Sequence, residues 1–280
     1  MDFLEWLRII FIGIVEGITE WLPVSSTGHM ILVNALWKTG VPEVMTEEFW
    51  EMFEVVIQLG AILAVVTIFW NKLWPFTKKK APQEQKEILN LWGKVLVGCI
   101  PAALFGFLLD DWMDAHLYNE YVVAAMLILY GVGFILVEHQ NRGKDFAVKE
   151  MGELTLKTAL FIGIIQVLSL VPGTSRSGVT ILGAMILGCS RYVAAEFTFY
   201  VAIPVMFGAS GLKVLKYLLE GGSFTGIQAL VMIVGMAVAY GVSIWVIKFL
   251  MGFIKKNDFT VFGWYRIWLG IIVLTFFLLF

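Results

Sequence analysis

Two carboxylates, an imidazole and four hydroxyl groups lie close together in apolar sequence, within the stretch Glu16–His29. Glu16 and Glu20 are four residues apart, so on a helix their side chains would share one face, about 5 to 6 Å apart at Cβ. Carboxylates this close repel each other unless a proton or a cation lies between them. Because an ionisable group in hydrocarbon costs about 2.5 to 3.5 kcal/mol, the cluster predicts a functional site.

A second polar turn follows Pro172 and contains Arg176. Two interpretations of this arginine are open. It could form a buried ion pair with Glu16 and Glu20, or its planar guanidinium could bind phosphate oxygens. The hydroxyl groups and glycine amides of both turns favour the phosphate site, and we expect them to contact the substrate: Ser25, Thr27, Gly28, Gly173, Ser175, Ser177 and Thr180.

His29 follows Ser26 by three residues, which fits a general acid or base beside a nucleophile, although a hydrogen-bonded interior histidine is the simpler alternative. Glu16 and Glu20 are typical ligands of a hard cation, and we expect Mg²⁺ or Ca²⁺. Three residues in the apolar segments after the turns are interpreted either as an outer layer of the site or, for the two glutamates, as helix caps: Glu54, Gln58 and Glu196.

The chain of 280 residues is 59% hydrophobic and only 15% charged. A soluble core could not bury so much apolar surface, so the composition predicts an all-α polytopic membrane protein. The net charge of −2 says nothing about partners, and we expect no nucleic acid among them. Cys99 and Cys189 lie in apolar segments without a CxxC motif and are interpreted as packing residues. The first apolar segment lacks a small-residue cleavage site, so we expect no cleaved signal peptide.

The first apolar unit runs from about Trp6 to Leu22 and resumes from Met30 to Trp37 after a proline. Eight helical residues span only about 12 Å of a hydrocarbon core of roughly 30 Å, so this unit is predicted to be a re-entrant hairpin. A second such hairpin is predicted at 155–171 and 179–187. Six spanning helices are predicted at about 53–70, 91–109, 121–137, 193–215, 226–250 and 261–280.

The two hairpins match each other at a fixed offset of 150 residues, with identical residues at Gly13, Ile14, Ser25, Gly28, Ile31 and Leu32. Each half therefore contains one hairpin and three spans, within a single membrane domain of residues 1–280. Because three is odd, the halves (about 1–138 and 154–280) should have opposite orientations, as an inverted-topology repeat whose polar turns meet near mid-membrane.

Loop charges predict the orientation. One face carries twelve lysines and arginines, among them Lys78, Arg142 and Lys255, and the other carries four. By the positive-inside rule the first face is cytoplasmic and both termini lie outside. The first hairpin would then open to the outer side.

Three stretches resemble the bacterial undecaprenyl-diphosphate phosphatase family, also called bacitracin-resistance proteins: EGITEWLPVSSTGH at 16–29, FEVVIQLG at 53–60 and PGTSRSG at 172–178. The resemblance implies an inner-membrane enzyme that recycles the lipid carrier of cell-wall synthesis by hydrolysing undecaprenyl diphosphate. It also implies a divalent cation, a pocket open to the outer side and a homodimer. Glu20, Ser26, His29 and Arg176 match the family's catalytic positions. The family's substrate or metal contacts correspond to Glu16, Ser25, Thr27, Ser175 and Thr180.

The residues themselves fit phosphoryl transfer, with either Ser26 or a water activated by His29 or Glu20 as the attacking group. The sequence does not choose between serine and water. A transporter or flippase of prenyl phosphate lipid is the alternative, since secondary transporters also join inverted repeats through broken helices. The serines and arginine of the two turns favour the phosphatase.

Overall fold

The computed structural model describes residues 2–36, 46–77 and 79–279, which form helices and no β-strand. The ends of two predicted segments, Trp37 and Phe280, lie outside the described residues. The α-helices are α1 Phe3–Thr19, α2 Ser26–Leu36, α3 Glu47–Val56, α4 Gln58–Ile68, α5 Trp70–Leu73, α6 Pro82–Leu117, α7 Glu120–Asn141, α8 Leu156–Gln166, α9 Arg176–Ile186, α10 Arg191–Leu219, α11 Gly226–Phe253 and α12 Thr260–Leu279. Short 3₁₀ helices occupy Met151–Glu153 and Val167–Leu170.

Six segments of the described chain are long and apolar enough to cross a membrane, which confirms the six predicted spans: Glu47–Ile68, Pro82–Leu109, Glu120–Asn141, Arg191–Leu219, Gly226–Phe253 and Thr260–Leu279. The first begins earlier than predicted because Thr46 caps it, its hydroxyl accepting from the backbone N–H of Phe49. The second begins at Pro82, a residue suited to the first helical turn. The chain is a multi-pass, all-helical membrane protein.

The two predicted hairpins correspond to shorter helices, α1 with α2 and α8 with α9. The second arms begin at Ser26 and Arg176, earlier than the predicted starts at Met30 and Val179. Residues that we expected in loops therefore form the first helical turn of each arm. At 11 residues, α2 and α9 each span about 16 Å, roughly half of a hydrocarbon core.

The helices of each half pack between those of the other half. Helix α1 contacts α11 as α8 contacts α6, and α4 contacts α11 as α10 contacts α6. Helices α7 and α12, which end the two halves, pack along each other. This interleaving brings the turn before α2 and the turn before α9 together at the centre of the molecule.

Candidate active site

Each polar turn is fixed by one serine in an unusual backbone conformation. Ser25 and Ser175 have φ angles of 74° and 72°, in the left-handed region that side chains other than glycine rarely adopt. Such a conformation costs of order 1–3 kcal/mol, so it persists only when the surroundings fix it. The hydroxyl of Ser25 accepts from Gly28 N at 3.3 Å, and that of Ser175 accepts from Gly178 N at 3.1 Å. The two turns thus have the same backbone conformation and the same capping hydrogen bond at the start of the helix that follows.

The two turns are joined by an ion pair between Glu20 and Arg176. The guanidinium donates from Nη2 and Nε to Glu20 Oε1, at 2.7 and 3.3 Å, and from Nη1 to the carbonyl of Thr198 at 3.2 Å. Both side chains are nearly buried, at 8% exposure for Glu20 and 12% for Arg176. The ion-pair interpretation is therefore correct for Glu20. These contacts use three of the five guanidinium N–H groups, which leaves donors for an anion.

Ser26 connects this ion pair to a cavity of about 850 Å³. Its hydroxyl donates to Glu20 Oε2 at 3.3 Å, and Ser26 and Thr27 both line the cavity. Another part of the wall comes from α3 and the first residue of α4, where Glu54 and Gln58 line the same space. Glu54 and Gln58 thus share a cavity with Ser26, as expected for an outer layer around the site.

Acceptor atoms face this cavity from three helices. Glu16 is 1% exposed and lines the cavity, and its Oε1 has no hydrogen-bond partner in the described structure. Asn34 donates from Nδ2 to Glu54 Oε1 at 2.9 Å, while its own Oδ1 is buried without a partner. One cation, Lys213 of α10, lines the cavity among the described residues. Glu16 and Asn34 thus each contribute a buried oxygen that no donor in the described structure satisfies.

His29 lines a different cavity from Ser26 and Thr27. Its Nδ1 is 2.7 Å from the carbonyl oxygen of Ser25, so Nδ1 carries a proton and donates it. Its Nε2 is 2.7 Å from the hydroxyl of Tyr265, and the two rings stack 5.7 Å apart. A neutral imidazole would accept at Nε2 from this hydroxyl. The pair lines a separate apolar cavity of about 360 Å³ between α1 and α12.

Most of the hydroxyls predicted to bind substrate serve the fold of the turns. Ser25 and Thr180 are 0% exposed. Thr180 donates to the carbonyl of Arg176 at 2.7 Å, and Ser177 donates to the carbonyl of Leu22 at 3.3 Å. Ser175 is engaged by Ser177 and by its helix cap. Of the predicted substrate residues in the described structure, only Thr27 lines the large cavity, and a substrate contact by the others stays a prediction.

The two predicted glycines act through close packing. Gly173 has φ of 85°, and a Cβ there would lie 2.6 Å from the backbone of Val123. Only glycine fits that position without moving α7. At Gly28 a Cβ would lie 3.0 Å from Leu127, also on α7. Both turns are therefore pressed against α7.

Glu196 has different partners from those we expected. Its carboxylate accepts from Lys72 Nζ at 2.6 Å and from the hydroxyl of Tyr200 at 2.8 Å. Neither partner belongs to a polar turn. Its contacts in the described chain make Glu196 a link between α10 and α5 rather than part of the site, because the neighbouring lysine supplies the cation that a buried carboxylate needs.

Arg266 of α12 holds both turns, and the sequence analysis missed it. The side chain is fully buried. It donates to the carbonyls of Gly173 and Thr174 at 3.0 and 2.9 Å, and to that of Pro23 at 3.3 Å. A charged residue inside the apolar segment 261–280 is the signal that could have found it, since such residues are costly unless they serve a site.

Comparisons with known proteins give matches over nearly the whole chain. Residues 9–272 match the model of the family described as bacitracin resistance protein BacA. A protein of Enterococcus faecalis named undecaprenyl-diphosphatase is 56% identical over 276 residues, which cover 98% of each chain. Proteins of the same name from Streptococcus thermophilus and Leuconostoc citreum are 55% and 54% identical, over 97% and 96% of this chain and 93% and 96% of their own.

Proposed function

The chain belongs to the bacitracin resistance protein BacA family, and on that premise we propose that it hydrolyses undecaprenyl diphosphate to undecaprenyl phosphate and inorganic phosphate. This reaction returns the lipid carrier to cell-wall synthesis. The family is named for resistance to bacitracin.

The observation that carries this proposal is the hydrogen-bonded series Ser26, Glu20 and Arg176 at the edge of the large cavity. Glu20 lies where a carboxylate can take a proton from Ser26 or from a water in its place. Arg176 holds that carboxylate, and its remaining N–H groups are donors for the charge that develops on the phosphate oxygens. Thr27 and Ser26, in the first turn of α2, present further donors near a helix N-terminus that favours anions.

His29 contributes from the apolar side of α2. Three residues after Ser26, it lies on a neighbouring part of the helix surface. The Ser25 carbonyl and the Tyr265 hydroxyl hold its ring in one orientation. In this position we assign it the general acid: once Tyr265 yields Nε2 and the ring is protonated there, Nε2 gives its proton to the departing prenyl phosphate.

A divalent cation, Mg²⁺ or Ca²⁺, fits the residues that line the large cavity. The buried, unpartnered oxygen of Glu16 is an acceptor of the type that hard cations prefer, and Glu20 was the second ligand that the sequence predicted. When bound, the cation supplies charge neutralisation for the diphosphate. The apolar cavity beside His29 would then receive the first isoprene units, so that the headgroup alone enters the polar site.

We further propose that the two halves form an inverted-topology repeat with re-entrant hairpins in the bacterial cytoplasmic membrane. Two observations support a structural repeat. Helix α1 contacts α11 as α8 contacts α6, and Ser25 and Ser175 have nearly the same φ angle. The loop charges support both termini and the active-site opening on the outer side. A homodimer is also proposed, on the family resemblance.

Phosphate release from a long-chain prenyl diphosphate by the purified protein tests the function. We expect release that requires Mg²⁺ or Ca²⁺ and is lost in Arg176→Ala. In Ser26→Ala, a fall of 100-fold or more would indicate a serine nucleophile, and a smaller fall would indicate attack by water; ~100-fold is the lower range for losing one catalytic group. A folded wild-type protein without release would contradict the hydrolase and leave lipid transport to be assayed.

A further inference from the structure

We propose that the divalent cation is bound by Glu16, Glu54 and Asn34 across the large cavity, and that Glu20 is not one of its ligands. This inference rests on the proposed function for the cation's role, but the site itself is argued from unsatisfied atoms. It assigns Asn34 and Glu54 to the metal, which neither the sequence pattern nor the family resemblance did.

The first observation is a pair of buried acceptor atoms, on residues that line one cavity, that no donor in the described structure satisfies. Glu16 Oε1 and Asn34 Oδ1 are both buried and have no partner in the described structure. Both residues line the cavity, together with Glu54. A buried acceptor without a partner costs about 1–3 kcal/mol, more for a charged group, so two such atoms in one cavity with a second carboxylate call for a bound donor or cation.

The second observation is the charge around Glu16. The carboxylates of Glu20 and Glu54 both act on Glu16 electrostatically and repel its negative charge. The guanidinium of Arg176 is directed at Glu20 through two N–H groups. Arg176 offsets part of the negative charge of Glu16 and Arg8 part of that of Glu54, and a divalent cation between the two carboxylates would offset the remainder.

The third observation excludes Glu20. Its Oε1 accepts two N–H bonds from Arg176 and its Oε2 accepts from Ser26. A metal at Glu20 would compete with Ser26 for Oε2, and Glu20 is not among the residues that line the large cavity. Asn34, by contrast, has a free acceptor atom. Its Nδ2 donates to Glu54 Oε1, and its Oδ1 has no partner in the described structure.

The ligand chemistry is that of a hard, oxygen-bound ion. No group of three or more His, Cys, Asp or Glu side chains suited to a metal occurs among the described residues, so a site for Zn²⁺ is not indicated. Two carboxylates and one amide oxygen, with room for waters and substrate oxygens in the cavity, match the ligands of Mg²⁺ or Ca²⁺.

Terbium luminescence tests the site without the reaction. Tb³⁺ replaces Ca²⁺, and Trp50, which lines the same cavity and is 6% exposed, can sensitise its emission. In detergent, we expect Glu54→Gln and Asn34→Leu each to weaken Tb³⁺ binding at least about tenfold, the lower end of the loss seen when even indirect metal contacts are removed. Trp50→Phe should abolish the sensitised emission while direct excitation still reports binding.

Controls separate this site from the alternative. Glu20→Gln/Arg176→Met removes both charges of the ion pair and should bind Tb³⁺ within about threefold of wild type; a loss as large as that of Glu54→Gln would overturn the inference. Glu51→Gln, which changes an exposed carboxylate that lines the cavity, should also bind Tb³⁺ normally.

Asn34→Asp should bind Tb³⁺ more tightly because it adds a negative ligand, a gain that misfolding cannot produce. Unchanged affinity in Asn34→Asp and Glu54→Gln would also contradict the site.

Phosphate release is measured on the same preparations. If the wild type binds Tb³⁺ through Glu54 and Asn34 but releases no phosphate, the cation site stands and the proposed hydrolase fails. If release requires Mg²⁺ while Glu54→Gln and Asn34→Leu bind Tb³⁺ as wild type does, the hydrolase stands and the assignment of the ligands fails.

Discussion

At the scale of single residues, the site is a balance between paired and unpaired charges. Glu20 and Arg176 neutralise each other, whereas Glu16 keeps a buried oxygen without a partner. A site that only stabilised the fold would have no reason to leave such an atom. The paired residues set the position of Ser26, and the unpaired ones are available to a ligand.

Breaking the ion pair should cost stability as well as activity. In Arg176→Ala, Glu20 is left buried without its cation, and we expect a loss of about 3–5 kcal/mol in the free energy of unfolding. Glu20→Gln/Arg176→Met should recover most of that stability and still release no phosphate. Thermal unfolding in detergent, compared with phosphate release, distinguishes the two effects. Equal stability of Arg176→Ala and wild type would show that the pair is not formed.

The hydroxyl of Tyr265 should position His29. Tyr265→Phe removes the partner of Nε2, worth about 0.5–1.5 kcal/mol, so kcat should fall up to about tenfold. His29→Gln should lower kcat about 100-fold or more, as expected for a general acid. Tyr240→Phe is the matched control, since its hydroxyl donates to Thr67 away from the site. If Tyr265→Phe behaves like Tyr240→Phe, the contact has no role in catalysis.

The sequence predicted charged residues that are costly to bury, except Arg266, and missed a residue whose role depends on its position in the fold. Glu16 and Glu20 were found from their spacing, and Arg266 could have been found by the same reasoning because arginine is expensive in hydrocarbon. Asn34 could not, since a neutral amide in an apolar arm is compatible with many hydrogen-bond partners. Its unpaired oxygen is visible only once Glu54 is placed beside it.

At the scale of elements, hydropathy found every span, but capping decided where the short arms begin. Prolines and serines in the turns were interpreted as loop residues. Ser25 and Ser175 instead cap α2 and α9 with their hydroxyls, and this adds a turn of helix to each arm. The starts of α2 and α9 were predicted too late because Ser25 and Ser175 were interpreted as loop residues, whereas each is the N-cap of a helix.

The close crossing of α8 and α6 depends on a glycine, which has no side chain. At Gly163 of α8, a Cβ would lie 2.3 Å from the carbonyl oxygen of Gly98 in α6. We expect Gly163→Ala to separate the helices and to lower the free energy of unfolding by about 1–3 kcal/mol, as overpacking does. Gly93→Ala, in α6 with nothing within 4 Å, should be neutral or stabilising because alanine favours helix. Thermal unfolding in detergent measures both, and equal shifts would contradict the close crossing.

At the scale of the whole molecule, the offset of 150 residues predicted two related halves but not how they interleave. Which helix of one half packs on which helix of the other depends on surface shape, and hydropathy contains no information about it. In the contacts of α1 with α11 and of α8 with α6, a helix of each half packs against a helix of the other half. The site, with Glu20 from one half and Arg176 from the other, exists only in the assembled chain.

Cysteine labelling tests the proposed orientation. Cys99 and Cys189 are buried and free, so they offer little background to a membrane-impermeant thiol reagent. Ser223→Cys lies on an exposed loop between α10 and α11 and should label from outside intact cells. Lys149→Cys lies on an exposed loop between α7 and α8 and should label only after the membrane is opened. The reverse pattern would invert the topology and place the large cavity on the cytoplasmic side.

Arg266 has a consequence for the electric potential at the centre of the protein. Its described contacts are with carbonyl oxygens and the ring of Tyr130, and none is with a carboxylate in the part of the chain that the structure describes. A unit charge that no ion neutralises acts over distance: about 8 Å away at an effective dielectric constant of about 20, it still changes the energy of a second charge by about 2 kcal/mol. The potential behind both turns is therefore positive before any cation or substrate arrives, and an anionic headgroup that passes the acidic wall of the cavity moves toward it.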